Sequence, residues 1–109
     1  MSRFFPTPDE CSRHTIFPGV NIRTASGEKM MLSVVDLAAH SVVEEHSHPH
    51  EQVGILLSGR VTFFIGDEQK ALTAGDVWVI PGGVKHKVVV GDEPAKALDV
   101  FMPIREDYR

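Results

Sequence analysis

The amino-acid sequence predicts an all-β domain. Apolar and β-branched residues occur in short runs of strand length, and turn signals built from Gly, Pro and Asp separate them about every eight to twelve residues. No segment of useful length carries the apolar stripe of a helix packed on a core. Short strands at this spacing are typical of an antiparallel sandwich or barrel.

The predicted strands follow one another along the whole chain. Pro6, Pro8 and Pro18 keep the start out of a regular helix, so residues 1–24 are expected to form an extended arm with short strands from about residue 14. Residues 25–28 are a predicted turn, Gly66-Asp67 is a hairpin signal, and residues 104–109 could form a helical turn. Between these signals strands are predicted at 30–37, 42–45, 53–57, 61–65, 69–72, 77–80, 87–90 and 97–101.

The composition narrows the classes of partner. A chain of 109 residues is expected to form one domain, residues 1–109. Its net charge is −4 and no basic face stands out, which argues against nucleic acid as a partner. The single cysteine, Cys11, cannot form an intramolecular disulfide, which fits a reducing cytoplasm. The first residues lack the pattern of a signal peptide, and no apolar run reaches the ~20 residues of a membrane span. We therefore expect a cytoplasmic protein without a membrane segment.

A group of histidines predicts a metal site. His46, His48 and Gln52 lie in HSHPHEQ, and His86 follows PGGVK. Residues 46, 48 and 52 share parity, so they face one side if this stretch is extended. Imidazole and amide ligands suit a first-row metal, and we expect one divalent ion: Ni, Zn, Fe, Mn or Cu. Because all four ligands are neutral, the ion would keep its full charge and attract an anion.

Other interpretations of this segment stay open. The histidines could belong to a solvated loop, since a lone His-x-His is weak evidence. His50 has the matching parity but lies in a proline-containing turn, so it is a reserve ligand. Glu51 has the opposite parity and is expected to be exposed.

Two motifs covering residues 40–90 resemble those of the cupin family. The first cupin motif is Gly, five residues, His-x-His, three or four residues, Glu, six residues and Gly. The second is Gly, five residues, Pro-x-Gly, two residues, His, three residues and Asn. Here they read His40-SVVEE-HSH-PHE-Gln52-VGILLS-Gly59 and Gly75-DVWVI-PGG-VK-His86-KVV-Val90. The resemblance implies a double-stranded β-helix, or jelly-roll barrel, with a metal-binding core at residues 40–90.

Three positions depart from the family pattern. His40 replaces a glycine, and we expect it to serve a structural turn because His can visit left-handed backbone geometry. Gln52 replaces the usual Glu ligand, and Val90 replaces Asn. The neutral ligand at position 52 speaks against a generic dioxygenase.

A narrower resemblance extends to the C-terminus. HSHPHEQVGILLSG and LDVFMPIREDY resemble the pectin-degradation cupins, which convert 4,5-unsaturated uronates into linear keto sugars. The resemblance implies that His46, His48, Gln52 and His86 hold the metal. It also implies that Asp99, Phe101 and Arg105 are catalytic and that the substrate is a small anionic sugar acid.

The same residues have simpler explanations. Asp99 could lie at a bulge or face solvent, Phe101 could be core, and Arg105 could belong to a solvated tail. The protein could instead be another metal enzyme such as an Fe(II) dioxygenase, or a binding module without catalysis. We also expect a homodimer, because the edge strands of a barrel invite pairing and the N-terminal arm could cross to a partner.

Overall fold

Two antiparallel sheets face each other in the computed structural model, which describes residues 4–109. Two short 3₁₀ turns, Pro8–Glu10 and Glu106–Tyr108, flank the strands. The ten strands are β1 (Ser12–Phe17), β2 (Val20–Ser26), β3 (Met31–Leu37), β4 (Val42–His46), β5 (Glu51–Ser58), β6 (Arg60–Ile65), β7 (Glu68–Thr73), β8 (Val77–Ile80), β9 (His86–Val90) and β10 (Ala95–Met102).

The strand order is that of a jelly roll. The large sheet runs β1-β2-β3-β10-β5-β8 and the small sheet β4-β9-β6-β7, with all pairings antiparallel. Strands distant in sequence become neighbours, because β10 lies between β3 and β5 while β9 lies between β4 and β6. The predicted all-β class and jelly-roll architecture are confirmed.

The core lies between the sheets because side chains alternate faces along each strand. In β10, Ala95, Ala97, Asp99 and Phe101 are buried while the residues between them are more exposed. The middle of the barrel is apolar, and the Phe63 and Trp78 rings lie 4.8 Å apart there. The polar residues that face inward lie at one end of the barrel, where β5 and β9 begin and where β10 ends.

Several element boundaries differ from the prediction. Strand β2 continues through Ser26, because that residue pairs with Met31, which leaves residues 27–30 as the turn instead of residues 25–28. Strand β5 begins at Glu51, which pairs with Met102 at the end of β10. These extensions arise from cross-strand partners that are remote in sequence. The helical turn predicted in the C-terminal tail is present as Glu106–Tyr108.

His40 occupies a turn that normally needs glycine. Its φ is +64°, in the left-handed region, and its backbone N–H donates to the Gly91 carbonyl at 2.7 Å. The side chain is exposed. The left-handed turn geometry expected at His40 is confirmed.

We expect His40→Gly to raise the free energy of unfolding by about 1 kcal/mol, because left-handed geometry disfavours residues with a Cβ by roughly 1–2 kcal/mol. His40→Val should lower it by a similar amount, since a β-branched residue tolerates this φ poorly. Urea denaturation measures both changes. Metal content should be normal in both variants, and its loss in His40→Gly would contradict a purely structural role.

Candidate metal centre

Three histidine side chains converge at one end of the barrel. His46 ends β4, His48 lies in the following turn, and His86 begins β9. His46 and His86 are cross-strand partners, and their ring centroids lie 4.2 Å apart. One ring nitrogen from each of the three histidines lies within 4.8 Å of the others, an arrangement that could hold a metal ion. His48 and His86 are buried and His46 is half-buried.

The parity argument for this segment is wrong. The chain turns between His46 and Glu51 instead of running extended, so alternation does not place His48. The turn is held by the Pro-Gly-Gly segment, since the Gly83 N–H donates to the His48 carbonyl at 2.8 Å. Gly82 packs so closely on the Pro49 carbonyl that a Cβ there would collide with it. Contact between two turns therefore brings His48 to the site.

Each of these histidines has its tautomer set by the backbone. His46 Nδ1 lies 2.8 Å from the Glu44 carbonyl, and His48 Nδ1 lies 3.0 Å from that of His50. His86 Nδ1 lies 2.9 Å from the Val84 carbonyl. A carbonyl only accepts, so each Nδ1–H donates and each neutral ring keeps its lone pair on Nε2. Three Nε2 lone pairs are thus available to a cation.

Gln52 completes a set of four acceptors. Its Oε1 lies 3.1 Å from His48 Nε2. Its side chain also lowers the pKa of Asp99 as a hydrogen-bonding neighbour, an effect that requires the amide N–H₂ to face the carboxylate. The amide oxygen therefore faces the imidazole lone pairs. Two acceptors at this distance need a proton or a cation between them.

Protonation of His48 and His86 is disfavoured. Burial, the strongest influence, lowers the pKa of His86 to about 4 and also lowers that of His48, to which the nearby Arg105 contributes. His86 Nε2 is buried without a hydrogen-bond partner among residues 4–109. An orphaned nitrogen within a set of converging acceptors fits a divalent metal ion, so the residues present suit the expected cofactor.

His50 and Glu51 lie outside this group. The His50 ring packs 5.5 Å from His48, but no His50 nitrogen belongs to the three-histidine cluster. Its contribution is the backbone carbonyl that accepts from His48. Glu51 is exposed, as expected, because it alternates with the inward-facing Gln52 within β5.

Asp99 lies beside the histidines in an apolar enclosure. It is 9% exposed, and its Oδ1 accepts a hydrogen bond from Trp78 Nε1 at 2.8 Å. Burial raises the pKa of Asp99 to about 6, against the opposing influence of Gln52, Trp78 and Arg105. The possibilities of a solvent-facing or bulged Asp99 are wrong, because this residue faces inward in regular pairing with Ser33 and Gly54.

Arg105 and Phe101 extend the site toward its mouth. Arg105 is 8% exposed despite its charged neighbours in the sequence, so the possibility of a solvated side chain is wrong. Its guanidinium lies 3.8 Å from the Tyr108 ring centroid and 5.2 Å from that of Phe101, and it donates to both carboxylate oxygens of Asp107. The Phe101 ring also packs edge-on against His48 at 5.7 Å. Aromatic faces thus hold a buried cation near the histidines.

Three residues of this site were not found from the sequence. Trp78 donates a hydrogen bond from Nε1 to the Asp99 carboxyl. Gly54 leaves room for that bond, because a Cβ would collide with both Trp78 and the Asp99 carboxylate. Tyr108 packs on Arg105, and its carbonyl accepts from His14 and Thr24. A glycine inside the apolar strand VGILL was the one available signal, since such a glycine often marks a close approach.

The cavity of this site combines a polar end with an apolar interior. His46, Gln52, His86, Asp99 and Arg105 line one part, and core side chains line the rest. The enclosed volume is about 50 Å³. A small molecule that entered would meet imidazole lone pairs, one carboxyl and one guanidinium within a largely apolar lining, where electrostatic interactions are stronger than in bulk water.

These features define a jelly-roll protein with a histidine site inside the barrel. A cupin domain profile matches residues 33–101, which is more than half of the chain. The protein belongs to the cupin family.

Solved structures support the same fold. KdgF from a Halomonas species superimposes with a TM-score of 0.84 at 27% identity, covering 94% of this chain and 97% of that one. An RmlC-like cupin from Shewanella frigidimarina gives a TM-score of 0.88 at 25% identity, covering 99% and 97%. An uncharacterised protein of Streptomyces coelicolor is 27% identical over 78% of this chain and 81% of its own length. Within residues 4–109, no helix has the length and apolar character needed to cross a bilayer.

We expect His86→Ala to abolish binding of a divalent ion at near-stoichiometric level, because it removes a buried ligand atom that no other described residue replaces. His50→Ala is the matched control, since it keeps the backbone carbonyl that orients His48. Elemental analysis after reconstitution with single metals measures the stoichiometry. Full occupancy in His86→Ala, or equal loss in both variants, would contradict the assigned ligand set.

Proposed function

We propose that this protein is a metal-dependent enzyme that converts 4,5-unsaturated monouronates, released from pectin or alginate, into linear keto sugars. The observation that carries the proposal is the position of Gln52 between the histidines and Asp99: its Oε1 lies 3.1 Å from His48 Nε2, and its hydrogen bonding lowers the pKa of the Asp99 carboxyl. The resemblance of HSHPHEQVGILLSG and LDVFMPIREDY to the pectin-degradation cupins supplies the substrate class. The Shewanella cupin superimposes over 99% of the chain, so the likeness extends through the tail that carries Arg105.

His46, His48, Gln52 and His86 would hold the metal through three imidazole nitrogens and one amide oxygen. A divalent ion bound there would supply Lewis acidity toward a substrate oxygen. Because all four ligands are neutral, they would not reduce the positive charge of the ion. The expectation of a small anionic substrate agrees with the positive character that the ion and Arg105 share inside a chain of net charge −4.

Arg105 would bind the substrate carboxylate. Asp107 occupies the Nε–Nη2 edge of the guanidinium, and the aromatic rings of Phe101 and Tyr108 restrain its plane. A guanidinium held in this way can still donate to a carboxylate from its other edge. Phe101 would pack against the sugar and exclude water from the reacting atoms.

Asp99 would move the proton. In the cyclic substrate, removal of the anomeric hydroxyl proton allows the ring C1–O bond to break, which leaves an aldehyde at C1 and an enolate at C5. Return of one proton to C4 converts the enolate to a ketone, so the reaction is an isomerisation without a net gain or loss of atoms. Trp78 orients the carboxyl, and burial keeps competing water away from it.

We further propose that residues 1–109 form one cupin domain that works in the cytoplasm. The single cysteine supports a reducing location. Oxygen consumption that depends on iron would favour the dioxygenase alternative instead.

Asp99→Asn should lower turnover by roughly 10²–10⁴-fold, because the amide keeps the shape of the carboxyl and an acceptor for Trp78 but cannot carry the proton. The assay follows the loss of conjugated double-bond absorbance after digestion of polygalacturonate or alginate by a lyase. Glu51→Gln is the matched control, as it neutralises an exposed carboxylate nearby. Normal turnover in Asp99→Asn with normal metal content would refute the assigned role, and no acceleration by any metal-loaded wild-type form would refute the uronate function.

Arg105→Lys should raise KM about tenfold or more, because a lysine keeps the charge but loses both the bidentate geometry and the stacking on Tyr108. Arg109→Lys alters an exposed residue of the same tail and should leave KM unchanged. Steady-state kinetics on the same substrate separates KM from kcat. Equal kinetics for Arg105→Lys and wild type would show that Arg105 does not bind the carboxylate.

A further inference from the structure

The C-terminal turn is tied to the barrel through one carbonyl oxygen. Thr24 Oγ1 donates to the Tyr108 carbonyl at 2.8 Å, and His14 Nε2 lies 3.0 Å from the same oxygen. Because a carbonyl only accepts, His14 carries a proton on Nε2 and donates it as well. A carbonyl oxygen has two lone pairs, so the two donors use both of them. These two donors and their shared acceptor are called the tail latch below.

The donors of the tail latch come from the other end of the chain. His14 lies on β1 and Thr24 on β2, 94 and 84 positions before Tyr108. Each is less exposed than the arginine beside it in its strand, Arg13 or Arg23, so both donors lie on the inner face of the sheet. Two neighbouring antiparallel strands thus present two donors to a single oxygen.

The other hydrogen bonds of residues 105–109 are internal to that segment. The Tyr108 N–H donates to the Arg105 carbonyl at 3.0 Å, and the charged side chains of the segment pair with one another. Within residues 6–109, the tail latch is therefore the hydrogen-bonded link between this segment and the strands. A single 3₁₀ turn has little stability of its own, so its position depends on that link.

Arg105 lies between two anchors. Ile104, immediately before it, is buried against Met31 and Phe101. The tail latch follows it at Tyr108, whose ring centroid lies 3.8 Å from the guanidinium. A buried cation regains its hydration if it moves into water, so Arg105 needs a support that keeps it inside. The ring of Tyr108 gives that support only while the latch holds its backbone in place.

We propose that His14 and Thr24 are positioning residues: through the Tyr108 carbonyl they hold the Tyr108 ring against Arg105 and keep the guanidinium beside the metal centre. The inference rests on the proposed role of Arg105 in binding the substrate carboxylate. Neither donor lines the cavity, so both act through the tail and not on the substrate. Loss of the latch should therefore weaken substrate binding and leave the chemical step and the metal ligands intact.

Two matched pairs of variants test the latch. Thr24→Val replaces the hydroxyl with a methyl group and keeps the branched shape and strand preference, so the barrel should fold normally around this buried position. Thr24→Ser is its control, because serine retains the donor. His14→Phe keeps a ring but cannot donate, whereas His14→Gln can donate from its amide. Elemental analysis should find normal metal content in all four variants.

Nitrogen-15 relaxation reads the latch without any substrate. In the wild type the backbone N–H of Tyr108 should be rigid, with an order parameter near ~0.85, and in Thr24→Val and His14→Phe it should fall to about 0.6 or lower. The Nε–H of Arg105 should become more mobile in the same two variants. Thr24→Ser and His14→Gln should remain as rigid as the wild type. Rigid signals from both groups in Thr24→Val and His14→Phe would overturn the inference.

Steady-state kinetics on the lyase-generated monouronate then connects the latch to Arg105. Thr24→Val and His14→Phe should raise KM about two- to tenfold, the range that one ordinary hydrogen bond supplies, with kcat within about twofold of the wild type. A mobile tail with unchanged KM would overturn the link to substrate binding. A wild type without turnover would refute the uronate function, and the relaxation data would still decide whether His14 and Thr24 position Arg105.

Discussion

The candidate site depends on three hydrogen bonds from histidine to the main chain. His46, His48 and His86 each donate Nδ1–H to a backbone carbonyl two residues away, so each presents an unprotonated Nε2 to the same small volume. Backbone acceptors cannot rotate away or change protonation, which makes the orientation of the rings a property of the strands and turns. The ligand geometry is therefore built before any ion binds, and the barrel around it maintains that geometry.

A second constraint follows from burying polar groups at the end of an apolar barrel. Asp99 and Arg105 are both almost enclosed, and each is kept there by specific partners. Trp78 donates to the carboxyl, while two aromatic rings and Asp107 hold the guanidinium. Buried charged groups without such partners would be strongly destabilising. The partners thus allow a carboxyl and a cation to persist beside the histidines, where they can act on one small molecule.

The large sheet carries the site residues on its inner side and aliphatic side chains on its outer side. Alternation along β5 and β10 sends the site residues inward and aliphatic side chains outward. Because apolar side chains lie on both sides of this sheet, LDVF and VGILL are nearly continuous apolar runs although the strands are antiparallel. A polar outer face would have produced a clearer alternation in the sequence.

The sequence alone determined the strand order along the chain, the turns and the histidine motifs, because Gly, Pro and His at fixed spacings impose local backbone geometry and chemistry. The left-handed turn at His40 follows from that reasoning. The sequence did not determine how His48 reaches the site. The turn that carries His48 depends on a contact between Pro49 and Gly82, which lie 33 positions apart in the chain. Nor did it reveal the roles of Trp78, Gly54 and Tyr108. Those roles arise from pairings between strands remote in sequence, and only the tertiary structure decides which remote residues meet.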